Sequence, residues 1–206
     1  MGQYYRTAVI HGNPLTAKPK VFECYGFVKL MEHSWMKNAH VNQVMLEILG
    51  NPAVVLWVGD YSNREGDGFC GYTHEQWSKL WAKVFNAKKE PEWLSDDPSK
   101  RADISEKDVD EFIEGFSTGF LINRTKGVYV DLSKILRQAE ANGQWAVHPL
   151  PILTACGNLR GSGDYMGSHM DLVGSWAGDL IESSYTRPEG LTETEAFFEE
   201  NKWTDG

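Results

Sequence analysis

A glycine-rich polar segment, Gly157–His169, has the residue types that bind an anion. It contains four glycines, which let backbone N–H groups turn toward an anion, and Arg160 supplies a guanidinium that can bind a phosphate through two parallel hydrogen bonds. Ser162 and Asp164 add a further donor and an acceptor. We therefore expect a phosphate-bearing ligand here. The pattern matches neither GxxxxGK[ST] nor GxGxxG, so a surface loop made of several turns is the alternative.

A second polar cluster lies between a predicted strand and a predicted helix. The amide groups that open that helix can attract an anion, and a histidine at this point can exchange a proton near neutral pH. We expect Lys29 and His33 to contribute to the ligand site for these reasons. The alternative is that Glu32 and Ser34 cap the helix while His33 packs or is exposed.

Two short sequences share a Trp-x-Gly-Asp pattern and end in Asp60 and Asp179. The Trp of each would anchor the core, and each carboxylate would stand at a strand end, where ligand sites on sheets often lie. Both aspartates are therefore candidate ligand-binding residues. The alternative is that each Gly-Asp pair simply begins a turn.

Metal and thiol chemistry have weaker support in the sequence. The six histidines include no HExxH or HxH spacing, so a metal site would have to assemble in space from residues such as His11, His33, Asp60 and Asp179. We predict neither a metal nor a cofactor. The three widely spaced cysteines form no disulfide framework and no CxxC pair, which predicts three free thiols.

Several stretches resemble one family of uncharacterised proteins from bacteria and their phages. They are MGQYY at the start, KLMEHSW at 29–35, and RGSGDYMGSH followed by LVGSWAGDLI within 160–181. The resemblance covers most of the chain. Because the family carries no established activity, the resemblance implies a prokaryotic or phage, intracellular setting and transfers no site residues.

The composition is that of a globular protein, with 41% hydrophobic and 24% charged residues. The net charge of −9 disfavours passive binding to nucleic acid and to anionic membranes. The opening residues lack an apolar signal core, and no apolar run approaches the ~18 residues of a membrane span. We therefore expect a soluble, cytoplasmic protein without a membrane partner.

Hydrophobic patterns and turn signals alternate without regular βαβ order, which predicts an α+β fold with a mixed or mainly antiparallel sheet and helices packed on it. Residues 1–206 are expected to form one domain, with a polar excursion at about 87–104. The predicted strands are 3–11, 20–31 with or without a bulge at Gly26, 53–58, a hairpin over 120–132, 148–157, and one within 172–183. The predicted helices are 35–49, one behind a Thr73–Gln76 capping box, one after Ser105, 133–140, and a short one after Thr192.

The helix behind the capping box has the clearest amphipathic pattern in the chain. Its apolar residues recur at three- and four-residue spacing and include Trp77 and Trp81. Together with Trp57 in the apolar run 53–58, these two tryptophans are predicted to be buried in the core.

Three functions are compatible with these features. The first is an accessory protein that binds a phosphorylated metabolite or nucleotide through the candidate residues above. The second is an acidic protein-interaction or inhibitor module, suggested by the charge and by Trp93 and Trp203. The third is a hydrolase or transferase in which His33 acts with Asp60 or Asp179. We expect the first.

Overall fold

The computed structural model describes residues 3–22, 28–62, 70–91, 105–157 and 163–198, apart from the side chains of Glu106, Val109, Phe112 and Ile113. In these ranges eight strands form one mixed, mostly antiparallel sheet with helices on both faces, which confirms the α+β prediction. The elements are β1 (Tyr5–Ile10), β2 (Lys20–Phe22), α1 (Leu30–His33), α2 (Ala39–Glu47), β3 (Ala53–Gly59), α3 (His74–Asn86), α4 (Glu106–Ser117), β4 (Phe120–Asn123), β5 (Val128–Asp131), α5 (Leu132–Asn142), α6 (Pro149–Leu153), β6 (Ala155–Cys156), β7 (Leu180–Ser184) and β8 (Thr192–Glu193).

The strand order is β2-β1-β3-β7-β4-β5-β8, with β6 also paired to β3. β1 runs antiparallel along the whole length of β3. The other edge of β3 is shared by two strands: β7 pairs antiparallel with Ala53 and Val54, and β6 pairs parallel with Trp57 and Val58. The chain leaves β6 through Gly157, so the glycine-rich segment begins beside the carboxyl end of β3.

Every residue of β3 is buried, because its continuous apolar run is covered on both faces. Ala53, Val55 and Trp57 pack into the larger core, which contains residues of α1, α2 and α6. The alternate residues of β3 pack into a smaller core with α3 through Trp77, Leu80 and Val84. Successive side chains of β3 thus point to opposite faces of the sheet, one covered by α1, α2 and α6 and the other by α3.

Local signals predicted several elements correctly. The Thr73 hydroxyl accepts a hydrogen bond from the Gln76 amide while the Gln76 side chain accepts from the Thr73 amide, so the capping box begins α3 as predicted. The hairpin of β4 and β5 turns through residues 124–127. The last turn of α5 ends at Gly143 in the left-handed conformation, as the Asn-Gly stop signal indicated.

The predicted core tryptophans are confirmed in two of three cases. Trp57 and Trp77 have no exposed surface. Trp81 is only partly buried and stacks on Phe85, with ring centroids 4.4 Å apart. In the part of the chain that the structure describes, no helix has the length and apolarity needed to cross a membrane.

The prediction of a strand at 148–157 is wrong over most of its length. Residues Pro149–Leu153 form helix α6, and only Ala155–Cys156 is extended. His148 caps the helix by accepting a hydrogen bond from the Leu150 amide. Both prolines stand in the first turn, where the amides they lack would have no partner in the helix. The prolines that suggested a strand edge therefore begin a helix.

Two further element predictions need correction. Of the predicted strand 20–31, the first three residues form β2, but Leu30–His33 is helical. Ser34 is therefore the C-cap of α1, and Asn38 is the N-cap of α2. Near the end of the chain, Thr192–Glu193 pairs in parallel with β5 where a helix cap was predicted. At Thr192–Glu193 the pairing with β5 outweighed a weak local pattern.

Candidate functional site

Seven residues from distant parts of the sequence meet at the start of β1, and we call them the Tyr5 cluster. Their centre is the Tyr5 hydroxyl group, which is buried at the carboxyl end of β3. The cluster brings together three of the predicted site residues with four others. Its members are Gln3, Tyr5, Lys29, Asp60, Gly157, Gly163 and Asp164.

The glycine-rich segment meets Tyr5 twice, at its first residue, Gly157, and in its middle, at Asp164. The Tyr5 hydroxyl donates a 2.7 Å hydrogen bond to Oδ1 of Asp164, and that carboxylate is 1% exposed. At the first residue, a Cβ added to Gly157 would lie 2.2 Å from the Tyr5 hydroxyl oxygen and 2.8 Å from Oε1 of Gln3. Only glycine allows this approach. The segment therefore begins beside the Tyr5 hydroxyl group and comes back to it at Asp164.

Lys29 packs along Gly163, the residue before Asp164. A Cβ added to Gly163 would lie 2.3 Å from Cδ of Lys29, so the lysine stem lies against the glycine backbone. The Gly163 carbonyl also accepts a hydrogen bond from the Met31 amide in the first turn of α1. These contacts place a primary amine beside a segment that follows it by more than 100 residues in the sequence.

Asp60 belongs to the same cluster. Its Oδ1 accepts a hydrogen bond from the Tyr4 amide at 3.2 Å, and its own amide donates to the Tyr4 carbonyl. Gly59 beside it packs against the Gln3 side chain. The side chain of Asp60 is partly exposed, and within the described residues its Oδ2 makes no hydrogen bond. This oxygen is available to an incoming hydroxyl or amine.

The electrostatics of the cluster keep the Tyr5 hydroxyl protonated. Burial raises the pKa of Tyr5 far above its ordinary value, and the negative charge and hydrogen bond of Asp164 raise it further, with smaller contributions from Cys156 and Asp60. Tyr5 is therefore a permanent donor to Asp164. Asp164 accepts this hydrogen bond and so holds the segment at Tyr5, while its contact with a ligand stays a prediction.

His33 lies beneath this region in a buried aromatic layer. Its Nδ1 accepts a 3.0 Å hydrogen bond from the indole N–H of Trp57, and its ring stacks on His40 with centroids 4.9 Å apart. Nε2 of His40 lies 2.9 Å from the Thr7 hydroxyl oxygen. Burial lowers the pKa of His33 well below its ordinary value, and the neighbouring His40 lowers it further.

The neutral form of His33 therefore carries its proton on Nε2, because Nδ1 acts as the acceptor. This N–H is buried and has no hydrogen-bond partner among the described residues. His33 is 1% exposed, and its described contacts include neither Asp60 nor Asp179. The structure thus does not assemble the His–Asp pair on which the hydrolase interpretation depends.

Asp179 lies far from the Tyr5 cluster. Leu180, which follows it, is opposite Val54, six residues before Asp60 on β3. Asp179 accepts a 2.7 Å hydrogen bond from the side-chain amide of Asn123 and pairs with Lys126 at 3.5 Å. It stabilises the β4–β5 turn, so the two Gly-Asp strand ends do not form one site.

The remaining predicted residues either lie outside the described residues or lie elsewhere in the fold. Arg160 and Ser162 lie outside the described residues, as do Trp93 and Trp203. His169, the last residue of the predicted segment, lines a different pocket of about 250 Å³ beside the Lys134–Glu193 ion pair. His11, weighed as a metal ligand, instead contacts Glu47 with its Nε2 at 3.0 Å.

Sequence reasoning missed Gln3 and Tyr5 as site residues. Both are in the MGQYY motif, but they lie in a strand of apolar character, where a tyrosine is expected to fill the core. Only the tertiary structure shows that the Tyr5 hydroxyl meets Asp164. Within the described ranges, no three His, Cys, Asp or Glu side chains group so that they would hold a metal ion.

The resemblance to uncharacterised bacterial and phage proteins stays a prediction. Comparison of the chain with protein-family models, with curated proteins and with solved structures finds no match.

Proposed function

We propose that this protein is a cytoplasmic accessory protein that binds a phosphate-bearing small molecule, a nucleotide or a sugar phosphate, at the Tyr5 cluster. The observation that carries the proposal is the packing of Lys29 along Gly163 at the point where the glycine-rich segment returns to Tyr5. In this proposal Lys29 binds the phosphate, and Arg160, which lies outside the described residues, supplies a second cation from within the glycine-rich segment. A cationic side chain can bind an anion at one site even though the net charge of the chain is −9.

The carboxylates of the cluster have separate roles in this proposal. Asp164 is buried and accepts from Tyr5, so it anchors the segment. Asp60 has an available oxygen on a partly exposed side chain and accepts a hydroxyl of the ligand, as carboxylates do with ribose. A cation for the phosphate and a carboxylate for a hydroxyl favour a phosphorylated sugar or nucleotide over inorganic phosphate.

Binding is tested by isothermal titration and thermal shift with ADP and ribose 5-phosphate, with adenosine and ribose as phosphate-free controls. Lys29→Gln keeps most of the stem that covers Gly163 but removes the charge. Loss of a charged hydrogen bond of about 1.5–3 kcal/mol raises Kd by roughly 10- to 150-fold. Arg160→Ala is expected to have an effect of the same size, and Arg160→Lys to restore only part of the affinity, because lysine lacks the planar fork.

The matched control is Lys79→Gln, which removes an equal charge from an exposed position on α3 where Lys79 pairs only with Glu75 among described side chains. Its Kd should equal that of the wild type. Asp60→Asn should weaken binding of ribose 5-phosphate more than that of pyrophosphate, which has no sugar. The proposal is overturned if neither phosphate compound stabilises the wild type, or if Lys29→Gln and Lys79→Gln bind alike.

A second candidate function is a protein-interaction module, favoured by one described residue. Trp145 is 67% exposed and rests edge-on against Trp35, with ring centroids 5.3 Å apart. Exposed tryptophans are enriched at the centres of protein interfaces. This function predicts a partner that co-purifies in stoichiometric amount with the wild type and is lost with Trp145→Ser, while ADP and ribose 5-phosphate leave the melting temperature unchanged.

A further inference from the structure

Two cysteines that are 86 residues apart in the sequence meet on the α3 face of the sheet. Sγ of Cys70 lies 2.9 Å from Sγ of Cys156. A disulfide bond is ~2.05 Å long, so a shift of less than about 1 Å would join the sulfurs. Both residues are free thiols in this structure. The wide spacing in the sequence predicted no disulfide, yet two of the cysteines are in contact in the folded chain.

The two thiols differ in accessibility. Cys156 ends β6 and is buried against the α3 layer, whereas Cys70 is partly exposed. Burial raises the pKa of the Cys156 thiol well above its ordinary value, and the neighbouring Cys70 raises it further. A small oxidant in solution therefore meets Cys70 first, with Cys156 directly behind it.

The backbone around Cys70 holds its thiol in this position. Cys70 has φ of +55°, a left-handed conformation that a residue with a side chain adopts at a cost in free energy. The turn packs against Gly178, where an added Cβ would lie 3.0 Å from the Cys70 carbonyl oxygen and 3.3 Å from its Cβ. Such a contact maintains a conformation that the turn alone would not favour.

We propose that Cys70 and Cys156 are a peroxide-oxidisable dithiol that forms a reversible intramolecular disulfide. Hydrogen peroxide takes a sulfur electron pair of Cys70, forming the Cys70 sulfenic acid and one water. The sulfur of Cys156 then attacks the Cys70 sulfur, its proton leaves with the hydroxide, and the disulfide and a second water form. Two thiols and one peroxide thus become one disulfide and two waters, and a dithiol reductant reverses the change.

The disulfide would connect the turn at Cys70 to the strand end that leads into Gly157. It would thereby restrain Gly157, the first residue of the glycine-rich segment. The restraint would act on the α3 face of the sheet, whereas the Tyr5 contacts lie on the opposite face. The inference rests on the thiol contact alone, and it holds whether or not the protein binds a phosphate compound.

The test treats the reduced, folded protein with equimolar hydrogen peroxide, alkylates the remaining thiols after unfolding, and measures the intact mass. The wild type should change from three alkylated cysteines to one, and the unalkylated product should lose about 2 Da, which is two hydrogens. A non-reducing peptide map should join Cys70 to Cys156. The melting temperature should rise on oxidation, because the bond restricts the unfolded chain, and it should return with dithiothreitol.

Three cysteine variants make the result specific. Cys24→Ser is the matched control, and it should still form the disulfide and keep no free thiol. Cys70→Ser should keep the Cys156 thiol after peroxide. Cys156→Ser should accumulate a Cys70 sulfenic acid that dimedone traps, several-fold more than in the wild type. If Cys156→Ser does not fold, the wild-type peptide map decides by itself.

Three outcomes would overturn the proposal. The first is a wild type that keeps three thiols under peroxide while remaining folded. The second is a peptide map in which Cys24 is one of the bonded residues. The third is oxidation of Cys70 to the sulfinic acid with the Cys156 thiol intact, which would show that the buried thiol does not reach the oxidised one.

Discussion

The Tyr5 hydroxyl donates a 2.7 Å hydrogen bond to Oδ1 of Asp164, a residue 159 positions further along the chain. The bond joins β1 to the middle of the glycine-rich segment, and both partners are almost completely buried. A buried carboxylate that loses a donor is destabilised, because one of the hydrogen bonds that offset its removal from water is then missing.

Tyr5→Phe is therefore expected to lower the free energy of unfolding by about 1.5–3 kcal/mol, the range for a hydrogen bond to a charged group. Urea denaturation measures the change. Tyr185→Phe is the control: Tyr185 is 45% exposed, so removing its hydroxyl group should change stability by less than about 0.5 kcal/mol. Equal effects of the two substitutions would contradict the role given to Tyr5.

Trp77→Ala should lower the free energy of unfolding by about 3–5 kcal/mol, because it empties a packed site between α3 and β3. Trp77 has no exposed surface and lies in the smaller core with Leu56 and Val58. Trp145→Ala removes the same side chain from a position that is 67% exposed, and its effect should be much smaller. A denaturation midpoint that stays unchanged in Trp77→Ala would contradict the packing of this layer.

Gly163→Ala tests the contact between the segment and Lys29. Gly163 has φ of +94°, and its added Cβ would lie 2.3 Å from Cδ of Lys29. Gly190→Ala is matched in backbone, with φ of +71°, but its Cβ would meet nothing within 4 Å. We expect Gly190→Ala to cost about 1 kcal/mol from the conformation alone and Gly163→Ala clearly more, as measured by urea denaturation. Equal costs would mean that Lys29 does not pack on Gly163.

Three buried histidines predict a loss of stability in acid. Burial lowers the pKa of His40 to about 4 and that of His148 to about 3, and it lowers the pKa of His33 in the same direction. Above the unfolded value of ~6.5 both states are neutral, so these groups leave stability unchanged with pH. As the pH falls below that value, these histidines bind protons in the unfolded chain but not in the folded chain. The free energy of unfolding therefore decreases until the pH reaches the folded pKa.

The expected loss is about 1.4 kcal/mol per pH unit for each such histidine, measured by urea denaturation between pH 7.5 and pH 5. His40→Gln should reduce the slope of stability against pH by about one proton. A flat stability profile in the wild type would show that the buried histidines gain protons without unfolding.

The helices and the hairpin with strong local signals could be predicted from the sequence. The Thr73 capping box, the apolar spacing that follows it and the Asn-Gly stop at Gly143 act within one or two turns of chain, so no distant residue is needed to interpret them. The continuous apolar run at 53–58 likewise predicted a buried strand. Helix α6 was mistaken for a strand because a five-residue apolar run has no resolvable period.

The candidate site was predicted only as a set of residue types. Lys29, Asp60 and Asp164 were predicted separately, and the sequence held no information that these three meet while Asp179 contacts Asn123 and Lys126. Strand register and sheet order decide that separation, and both depend on how distant apolar faces pack.

The sequence by itself determined the composition, the α+β class, the strongest helices and the kinds of chemistry available. The tertiary structure alone decided which groups share one place: Tyr5 with Asp164, Lys29 with Gly163, and Cys70 with Cys156. The physical reason is that local propensities act over a few residues, whereas these contacts join residues 86 to 159 positions apart and form only when the whole sheet buries its two faces.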